Sequence, residues 1–262
     1  MPVGKFIEEK GGHVEGFRDE ISRAAQAGDD KFFGWFDGAM GKDEARSRGH
    51  WDFSIHIAAP LSGLIARPHE KVCLEIGYGG GRILAAAAKH FKHAIGVDVH
   101  RQSQLVQNYL ASEGVHNATL YETDGMAFPV ADNCVDLVYT FIVMQHMESV
   151  EVFASNIKEV ARCLKPSGLA AIYFGRVSRL SLNKRNNMLF RLDNLLERTP
   201  FTPRFIEKKA RVNETNLLIS VRYAKRIFRD VGLQVIRQGG SRKRVPDGGH
   251  LYGSQTLFIV KK

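Results

Sequence analysis

The feature of this sequence that most constrains its fold is a regular alternation of short apolar, β-branched runs with helical patterns between residues 71 and 165. Strands are predicted at 71–77, 94–98, 118–122, 135–141 and 169–174, and helices at 81–90, 101–113 and 150–164. Such alternation is typical of βαβ units, in which successive strands run parallel. The chain is therefore predicted to be an α/β protein with a doubly wound, mostly parallel sheet.

Length and composition indicate one main domain. With 262 residues, of which 44% are hydrophobic, the chain can bury a single large core. Residues 67–262 are predicted to form this domain. Residues 1–66 are rich in glycine and charge and carry two aromatic clusters, so we expect an N-terminal helical cap whose first residues are mobile.

The segment 176–215 interrupts the alternation and contains ten Lys and Arg against four Asp and Glu. Apolar residues from 188 to 196 recur at helical spacing, so one side of this segment is expected to be buried. We predict an inserted helical lid over the active face. A helix at 216–230 and a closing pair of strands at 233–238 and 255–260 complete the prediction.

Composition limits the class of protein. No apolar run approaches the roughly 20 residues that span a bilayer, and charged residues occupy the place of an apolar signal segment. Cys73, Cys134 and Cys163 form no CxxC or Cys/His ligand pattern, so we expect reduced thiols and no metal site. A cytoplasmic protein without a transmembrane segment is expected. The net charge of +9 favours anionic partners.

The most informative motif is an apolar strand that opens through glycines into a helix, with Glu75 inside the strand and Gly77, Gly79 and Gly81 after it. Glycines at such a turn allow the backbone to approach a ligand closely. Dinucleotide-binding loops prefer a third small residue at the position of Arg82. The acidic residue and the different spacing favour a nucleoside ligand with a cationic amine over one with a pyrophosphate.

This ExGxGxG motif resembles the first motif of the class I S-adenosylmethionine-dependent methyltransferases, a Rossmann-like family with a seven-stranded sheet. The resemblance, which is to methyltransferases of type 11/25, continues in order through about 100 residues, up to 164–168. It implies S-adenosylmethionine as the cofactor and S-adenosylhomocysteine as the product. The residues that it assigns to the cofactor are Glu75, Gly77, Tyr78, Gly79, Gly81, Asp98, Val99, Asp124, Gly125, Met126, Thr140 and Phe141.

Two of these assignments have structural alternatives. The resemblance implies that Asp98 accepts both ribose hydroxyls and that Asp124 binds the adenine amino group. A carboxylate suits the first task because it accepts two donors at once. Taken alone, however, Asp98 is also a possible N-cap of the helix at 101–113, and Asp124 a possible start of a turn at Gly125.

The segment 142–148 resembles the family's entrance to the substrate pocket, which often carries two histidines. Gln145 stands in place of the first, so His146 is the candidate base or acceptor contact. A general base is needed only if the acceptor keeps a proton, as a hydroxyl does. A capping histidine is the alternative. Trp51 and His56 are expected as pocket walls, although core packing is the usual role of such clusters.

The predicted function is methyl transfer by in-line displacement to a small-molecule acceptor, anionic or hydroxyl-bearing. Two alternatives stay open at this point. The positive charge is compatible with an RNA or other nucleic-acid substrate, although Asp136 is followed by Leu-Val-Tyr and not by the motif of amino-adenine enzymes. The same fold can also serve as a non-catalytic partner that binds the cofactor. The sequence sets no oligomeric state.

Overall fold

The parallel half of the sheet follows the predicted alternation. A computed structural model describes residues 13–38, 41–177, 187–197, 199, 201–244 and 250–262. Its first five strands are β1 Val72–Ile76, β2 His93–Asp98, β3 Ala118–Glu122, β4 Val135–Thr140 and β5 Leu164–Gly175. Neighbouring strands among them pair in parallel, in the order β3-β2-β1-β4-β5. Their carboxyl ends therefore meet at one edge, where open α/β sheets bind ligands.

Four further strands are present among the described residues. They are β6 Phe205–Glu207, β7 Leu217–Ile219, β8 Gln234–Arg244 and β9 His250–Lys261. Strand β9 pairs antiparallel with both β5 and β8, so the seven-stranded sheet has the order β3-β2-β1-β4-β5-β9-β8. Strands β6 and β7 form a separate antiparallel pair. The prediction of a Rossmann-like, mostly parallel seven-stranded sheet is confirmed.

Helices cover both faces of the sheet. They include α5 Arg82–Ala88 and α6 Ser103–Ser112 on one face, with α7 Val150–Cys163 and α9 Val221–Asp230 on the other. Alternate residues of a strand point to opposite faces, so Cys73 packs with α5 and α6 whereas Leu74 packs with α7 and α9. Two apolar cores therefore hold the sheet between them.

A helical cap precedes the sheet. It consists of α1 His13–Gln26, α2 Asp29–Asp37, α3 Lys42–Asp52, a π-helix Phe53–Ala58 and the short α4 Ala59–Leu61. Phe32, Phe33 and Ile57 of this cap are fully buried in the core that contains α5 and α6. The expected mobile start falls on residues 1–12, which lie outside the described residues.

The inserted segment and the helix predicted after it each differ from their predictions. Helix α8, Asn187–Glu197, exposes Met188, Leu192 and Leu195, whereas Leu189 and Leu196 are half-buried, so the expected burial is only partial among the described side chains. The predicted helix at 216–230 is also too long, because Leu217–Ile219 forms strand β7 against β6. Helix α9 begins after Ser220, whose hydroxyl accepts a hydrogen bond from the Tyr223 amide at 3.4 Å.

Within the described ranges, no helix combines the length and the apolar character needed to cross a membrane. All three cysteines are free thiols: Cys73 and Cys163 are buried and Cys134 is half-buried.

Candidate functional site

The glycine loop after β1 requires its glycines. Gly77, Gly79 and Gly81 have φ angles of 76°, 51° and 81°, in the left-handed region that other residues rarely adopt. A Cβ on Gly77 would lie 2.4 Å from Val143 Cγ2, and one on Gly79 would lie 2.9 Å from Phe36 Cδ1. Side chains can therefore be added at neither position without displacing the segment after β4 or the cap.

Asp98, at the carboxyl end of β2, fastens this loop. Its Oδ2 accepts the Gly79 amide at 2.7 Å, and its Oδ1 accepts the Val99 amide at 2.7 Å. Helix α6 begins at Ser103 with Gln102 as its N-cap residue, so the N-cap alternative for Asp98 is wrong. Oδ1 also accepts the His100 amide at 3.4 Å, so Oδ2 is the oxygen that keeps capacity for a further donor at the sheet edge.

Asp124 opens a turn after β3. Its Oδ1 accepts the amides of Met126 and Ala127 at 2.8 and 2.9 Å, and these bonds hold the pKa of Asp124 below its usual value. Gly125 adopts a φ of 87° in this turn. The turn alternative is thus correct as local structure. It leaves Oδ2 without a hydrogen bond from any residue that the structure describes, so one carboxylate oxygen can receive a ligand donor.

Glu75 is buried inside β1, and the Tyr139 hydroxyl donates to its Oε2 at 3.2 Å. Burial raises the pKa of Glu75 to about 8, although the Tyr139 bond and nearby Arg82 oppose this rise. The carboxyl is therefore largely protonated at neutral pH, and a cation bound beside it would favour its ionised form. Arg82 itself is engaged elsewhere, because its Nη1 lies 2.7 Å from Asp52 Oδ2.

The carboxyl end of β4 carries an unusual backbone and an unsatisfied hydroxyl. Thr140 is fully buried, and its Oγ1 has no hydrogen-bond partner among the described residues. Ile142 has a φ of 59°, a conformation that costs a β-branched residue on the order of 1–3 kcal/mol. Backbone strain and buried polar atoms of this kind concentrate at functional sites, so this strand end is a candidate part of one.

His146 lies beyond this strand end, in a short 3-10 helix Met144–His146. Its Nδ1 is 2.8 Å from the carbonyl oxygen of Glu214, so that nitrogen carries the proton. Its Nε2 is 3.2 Å from Gln145 Nε2, which donates to it. Burial lowers the pKa of His146, and His13 lowers it further. The imidazole is therefore neutral, with a defined tautomer.

Asn216, which directly follows the insertion, forms hydrogen bonds with the segment that contains His146. Its Nδ2 donates to the carbonyl oxygens of Met147 and Glu148, both at 2.8 Å, and its amide donates to the Gln145 carbonyl at 2.8 Å. Together with the Glu214 carbonyl, which lies inside the insertion, these bonds fix the position of the His146 ring.

Helix α1 covers the site from the cap side, an arrangement that sequence reasoning missed. Arg18 Nε donates to the Val99 carbonyl at 2.7 Å, and its Nη2 donates to Glu122 Oε1 at 3.0 Å. A Cβ on Gly125 would lie 3.1 Å from Val14 Cγ2. No local pattern distinguishes these residues, since they reach the site only through packing of the cap on the sheet.

His100 is a second residue that the sequence did not reveal. It is fully buried, and its Nε2 lies 3.0 Å from the Gly79 carbonyl oxygen. Its ring packs against Tyr78 at 5.0 Å and Phe36 at 5.8 Å. His100 therefore stabilises the glycine loop through this hydrogen bond and through its contacts with Tyr78 and Phe36.

Trp51 and His56, the two residues expected to line the pocket, differ in burial. Trp51 is 68% exposed on α3 and forms no buried wall. His56 is buried and stacks on Phe141 with ring centroids 4.1 Å apart. Its carbonyl accepts the Tyr173 hydroxyl at 3.0 Å. His56 thus lies behind Phe141 as support, whereas Gln145 is brought directly to His146.

Comparison with known proteins agrees with this geometry. Residues 74–172 match the model of a family described as a methyltransferase domain. The chain is similar to a tRNA (guanine-N(7)-)-methyltransferase of Rhizobium meliloti (strain 1021), with 31% identity over 129 residues. That match covers 45% of this chain and 55% of the relative, so the chain spans little more than half of the relative's length.

Solved structures share the fold at low identity. A SAM-dependent methyltransferase from Methanosarcina mazei superimposes with a TM-score of 0.53 at 16% identity, over 74% of this chain and 93% of that one. A SAM-dependent methyltransferase from Aquifex aeolicus superimposes with a TM-score of 0.51 at 13% identity, over 85% and 99% of the two chains. These likenesses establish the fold.

Proposed function

We propose that the protein uses S-adenosylmethionine to methylate a small-molecule acceptor bearing a hydroxyl or an anionic group. The match of residues 74–172 to a methyltransferase domain supports the reaction class. The observation that carries the proposal is the convergence of the glycine loop, Asp98, Asp124 and the His146 segment at one sheet edge. This edge offers groups for a nucleoside on one side and a neutral imidazole on the other.

The side chains present fit the cofactor. Asp98 would hold the ribose hydroxyls and Asp124 the adenine amino group, with Gly125 and Met126 beside the ring. The buried carboxyl of Glu75 would favour the cationic amine of the methionyl part. Thr140 supports the assignment independently, because its buried hydroxyl lacks a partner among the described residues. The remaining residues that we assign to the cofactor are Gly77, Tyr78, Gly79, Gly81, Val99 and Phe141.

When bound, S-adenosylmethionine supplies a methyl group already activated by the sulfonium, so alignment of the acceptor provides much of the acceleration. His146 would contact the acceptor, since Gln145 and the Glu214 carbonyl fix its ring. Helix α1 would exclude water from the nucleoside side, because Val14 and Arg18 pack against the loops that surround it.

Residues 67–262 are proposed as the catalytic domain, residues 1–66 as its cap and residues 176–215 as a lid that shapes the acceptor pocket. The contact of the Glu214 carbonyl with His146 supports a link between this insertion and the acceptor. The net charge of +9 supports an anionic acceptor. Free thiols at the described cysteines are compatible with the proposed cytoplasmic location.

A second candidate acceptor is RNA. The similarity to a tRNA methyltransferase favours it, and so does a groove of about 930 Å³ beside α9. The cationic residues lining this groove are Arg204, Arg222, Lys225, Arg226 and Arg229. Phe205 stacks on Tyr223 at 5.9 Å in the same region, and aromatic faces beside cations suit unpaired bases.

Transfer of tritium from labelled S-adenosylmethionine separates these possibilities. The purified chain would be incubated with a cellular extract fraction below 1 kDa, or with total RNA, with and without ribonuclease. Label in the small-molecule fraction is the expected result. Ribonuclease-sensitive label would replace the proposal with the RNA alternative. If calorimetry shows that S-adenosylhomocysteine binds but no label is transferred to either fraction, the remaining interpretation is a non-catalytic binding protein.

A further inference from the structure

His13 is the first residue of α1 and is buried, with 6% of its surface exposed. Its Nδ1 is enclosed and has no hydrogen-bond partner among the residues that the structure describes. A buried polar atom in this state costs about 1–3 kcal/mol, so it calls for an explanation. The group that satisfies it is absent from the described protein atoms.

The surroundings of His13 connect it to the acceptor end of the site. The ring of Phe17 lies 6.4 Å from His13 and 6.2 Å from His146, so it packs between the two imidazoles. The neighbouring residue, Val14, packs at Gly125 on the nucleoside side. His13 therefore lies at the junction between the proposed cofactor groups and His146.

The two histidines differ in their capacity to accept a proton. Both nitrogens of His146 are engaged, one as donor to the Glu214 carbonyl and one as acceptor from Gln145. His146 can gain a proton only by giving up the Gln145 bond. His13 Nδ1 has no hydrogen bond to give up, although it is enclosed in the ligand-free chain, so α1 must shift before an acceptor can reach it.

We propose that His13 is the general base of the reaction, with its Nδ1 as the atom that takes the acceptor's proton, while His146 positions the acceptor. This rests on the proposed function with a hydroxyl acceptor. As the hydroxyl oxygen bonds to the methyl carbon, the carbon–sulfur bond breaks and its electron pair returns to sulfur. The hydroxyl proton passes to His13 and later leaves to solvent. The products are a methyl ether and S-adenosylhomocysteine.

The electrostatics around His13 suit this role. Burial lowers its pKa, which keeps the ring neutral at pH 7, and the Glu148 carboxylate opposes this by stabilising the charged form. The other titratable groups near it are His146 and, along α1, Glu15 and Arg18, which pair with each other at 2.7 Å. Glu148 is thus the group that stabilises the imidazolium formed during transfer.

The first test needs no acceptor. Nitrogen-detected NMR of the protein saturated with S-adenosylhomocysteine would report the tautomer and pKa of each histidine. We expect His13 to be neutral above pH 6.5 with an unprotonated Nδ1, and His146 to be protonated on Nδ1. A proton held on His13 Nδ1 in this complex would overturn the proposal.

The second test uses His13→Gln and His13→Ala, with His69→Gln as the control because the His69 side chain is 74% exposed. Label transfer to the small-molecule fraction should fall about 100-fold in both His13 variants, and added imidazole should partly restore His13→Ala. S-Adenosylhomocysteine binding should stay within about threefold of wild type. The wild-type rate should fall as pH drops through the lowered His13 pKa, and the variants should lose this dependence.

A failure of the His13 proposal can be distinguished from a failure of the proposed acceptor class. An active wild type whose His13→Gln variant keeps the same rate and pH dependence contradicts the role of His13 alone. If the wild type labels only RNA or nothing, the proposed acceptor class fails, and the NMR result still decides whether His13 has an available nitrogen.

Discussion

At the scale of single residues, Asp98 has two simultaneous tasks: it fastens the glycine loop and is proposed to receive the ribose hydroxyls. Its hydrogen bonds to Gly79 and Val99, both at 2.7 Å, fix the carboxylate before any ligand arrives. A ligand that binds such a fixed carboxylate loses little affinity to its reorganisation.

We predict that Asp98→Asn weakens S-adenosylmethionine binding by about 1.5–3 kcal/mol, the range for hydrogen bonds that involve a charged group. The amide keeps one acceptor oxygen for the backbone but loses the second and the charge. Calorimetry would measure the change, with Asp230→Asn on the exposed end of α9 as the control. Equal affinities in the two variants would contradict the assignment of Asp98.

Glu75 makes stability depend on pH. In the folded chain its pKa is about 8, whereas an unfolded glutamate titrates near 4.3. Between these values the folded state binds more protons than the unfolded state, so the free energy of unfolding falls as pH rises. Glu75→Gln removes this dependence. Its stability relative to wild type should increase by on the order of 3 kcal/mol between pH 5 and pH 8.

Urea denaturation of ligand-free protein at several pH values would check this prediction. Glu151→Gln serves as a control, because Glu151 is exposed on α7. A difference between Glu75→Gln and wild type that stays constant across pH would show that Glu75 is ionised in the folded protein.

The sequence allowed the glycines of the loop to be recognised, and their left-handed φ angles confirm that they are needed there. It could not reveal His13, Arg18 or His100. Arg18 reaches the site through Val99, 81 residues away, and His13 approaches His146 only through the ring of Phe17. Contacts of this separation arise from tertiary packing, which leaves no periodic signal in one sequence.

At the scale of elements, Arg18 attaches α1 to the sheet edge, beside the Gln102–Ser22 hydrogen bond and the buried side chain of Ile21. The guanidinium contacts the Val99 carbonyl, Glu122 and the Thr123 carbonyl with a side chain only 15% exposed. This attachment joins the cap to two loops of the proposed cofactor site.

We predict that Arg18→Ala loosens α1 while the sheet stays folded. Hydrogen exchange measured by mass spectrometry should speed up about tenfold in residues 13–26, because the loss of bonds to a charged group costs about 1.5–3 kcal/mol. Arg23→Ala is the matched control, since Arg23 bonds only within the helix, to the Asp19 carbonyl. Unchanged exchange in Arg18→Ala would mean that apolar packing alone holds α1.

Residues 178–203 of the insertion are flanked by residues that lie close together. The Val177 amide reaches the Ile219 carbonyl and the Ser220 amide reaches the Arg204 carbonyl, so residues 177 and 204 lie beside the same short segment. We predict that a four-residue Gly/Ser linker in place of residues 178–203 keeps S-adenosylhomocysteine binding within about threefold, or roughly 0.6 kcal/mol. Methyl transfer should be lost, because the acceptor pocket is then open to water.

Calorimetry and the tritium assay would be run on the same preparation of the shortened protein. Normal transfer to the small-molecule fraction would end the lid proposal and leave the insertion as surface elaboration.

Secondary-structure elements with a local sequence pattern could be predicted. Elements that form only by pairing with residues distant in the sequence could not. Strand β3 coincides with its predicted range of 118–122 because turns bound it in the sequence. Strand β7 was taken as helix, since Leu217–Ile219 pairs with β6 through contacts that the local pattern does not contain. Helix α8 has a helical period of apolar residues, but that period does not reveal whether a partner covers them.

At the scale of the whole molecule, the positive charge is concentrated beside α9. Arg222, Arg226 and Arg229 follow one face of the helix, and like charges at such spacing destabilise it. Asp230 offsets this only in part, through contacts of 3.6 and 3.7 Å with Arg226 and Arg229.

We predict that this face binds RNA through charge alone. Replacing Arg222, Arg226 and Arg229 together with alanine should lower the slope of log affinity against log salt by about 2, as expected for three phosphate contacts with a single strand. The control replaces three arginines away from this face, Arg46, Arg48 and Arg67, and has the same net charge. Label transfer to the small-molecule fraction should be unchanged. Its loss together with RNA binding would favour an RNA acceptor.

The position of α1 has a thermodynamic consequence. One helix contacts the nucleoside side through Val14 and Arg18 and reaches the acceptor side through His13 and Phe17. A ligand that orders this helix from either side lowers the entropic cost of binding on the other. The two substrates should therefore bind with positive cooperativity, and by linkage each should raise the affinity of the other by the same factor. Both products would then depart through the opening of a single helix.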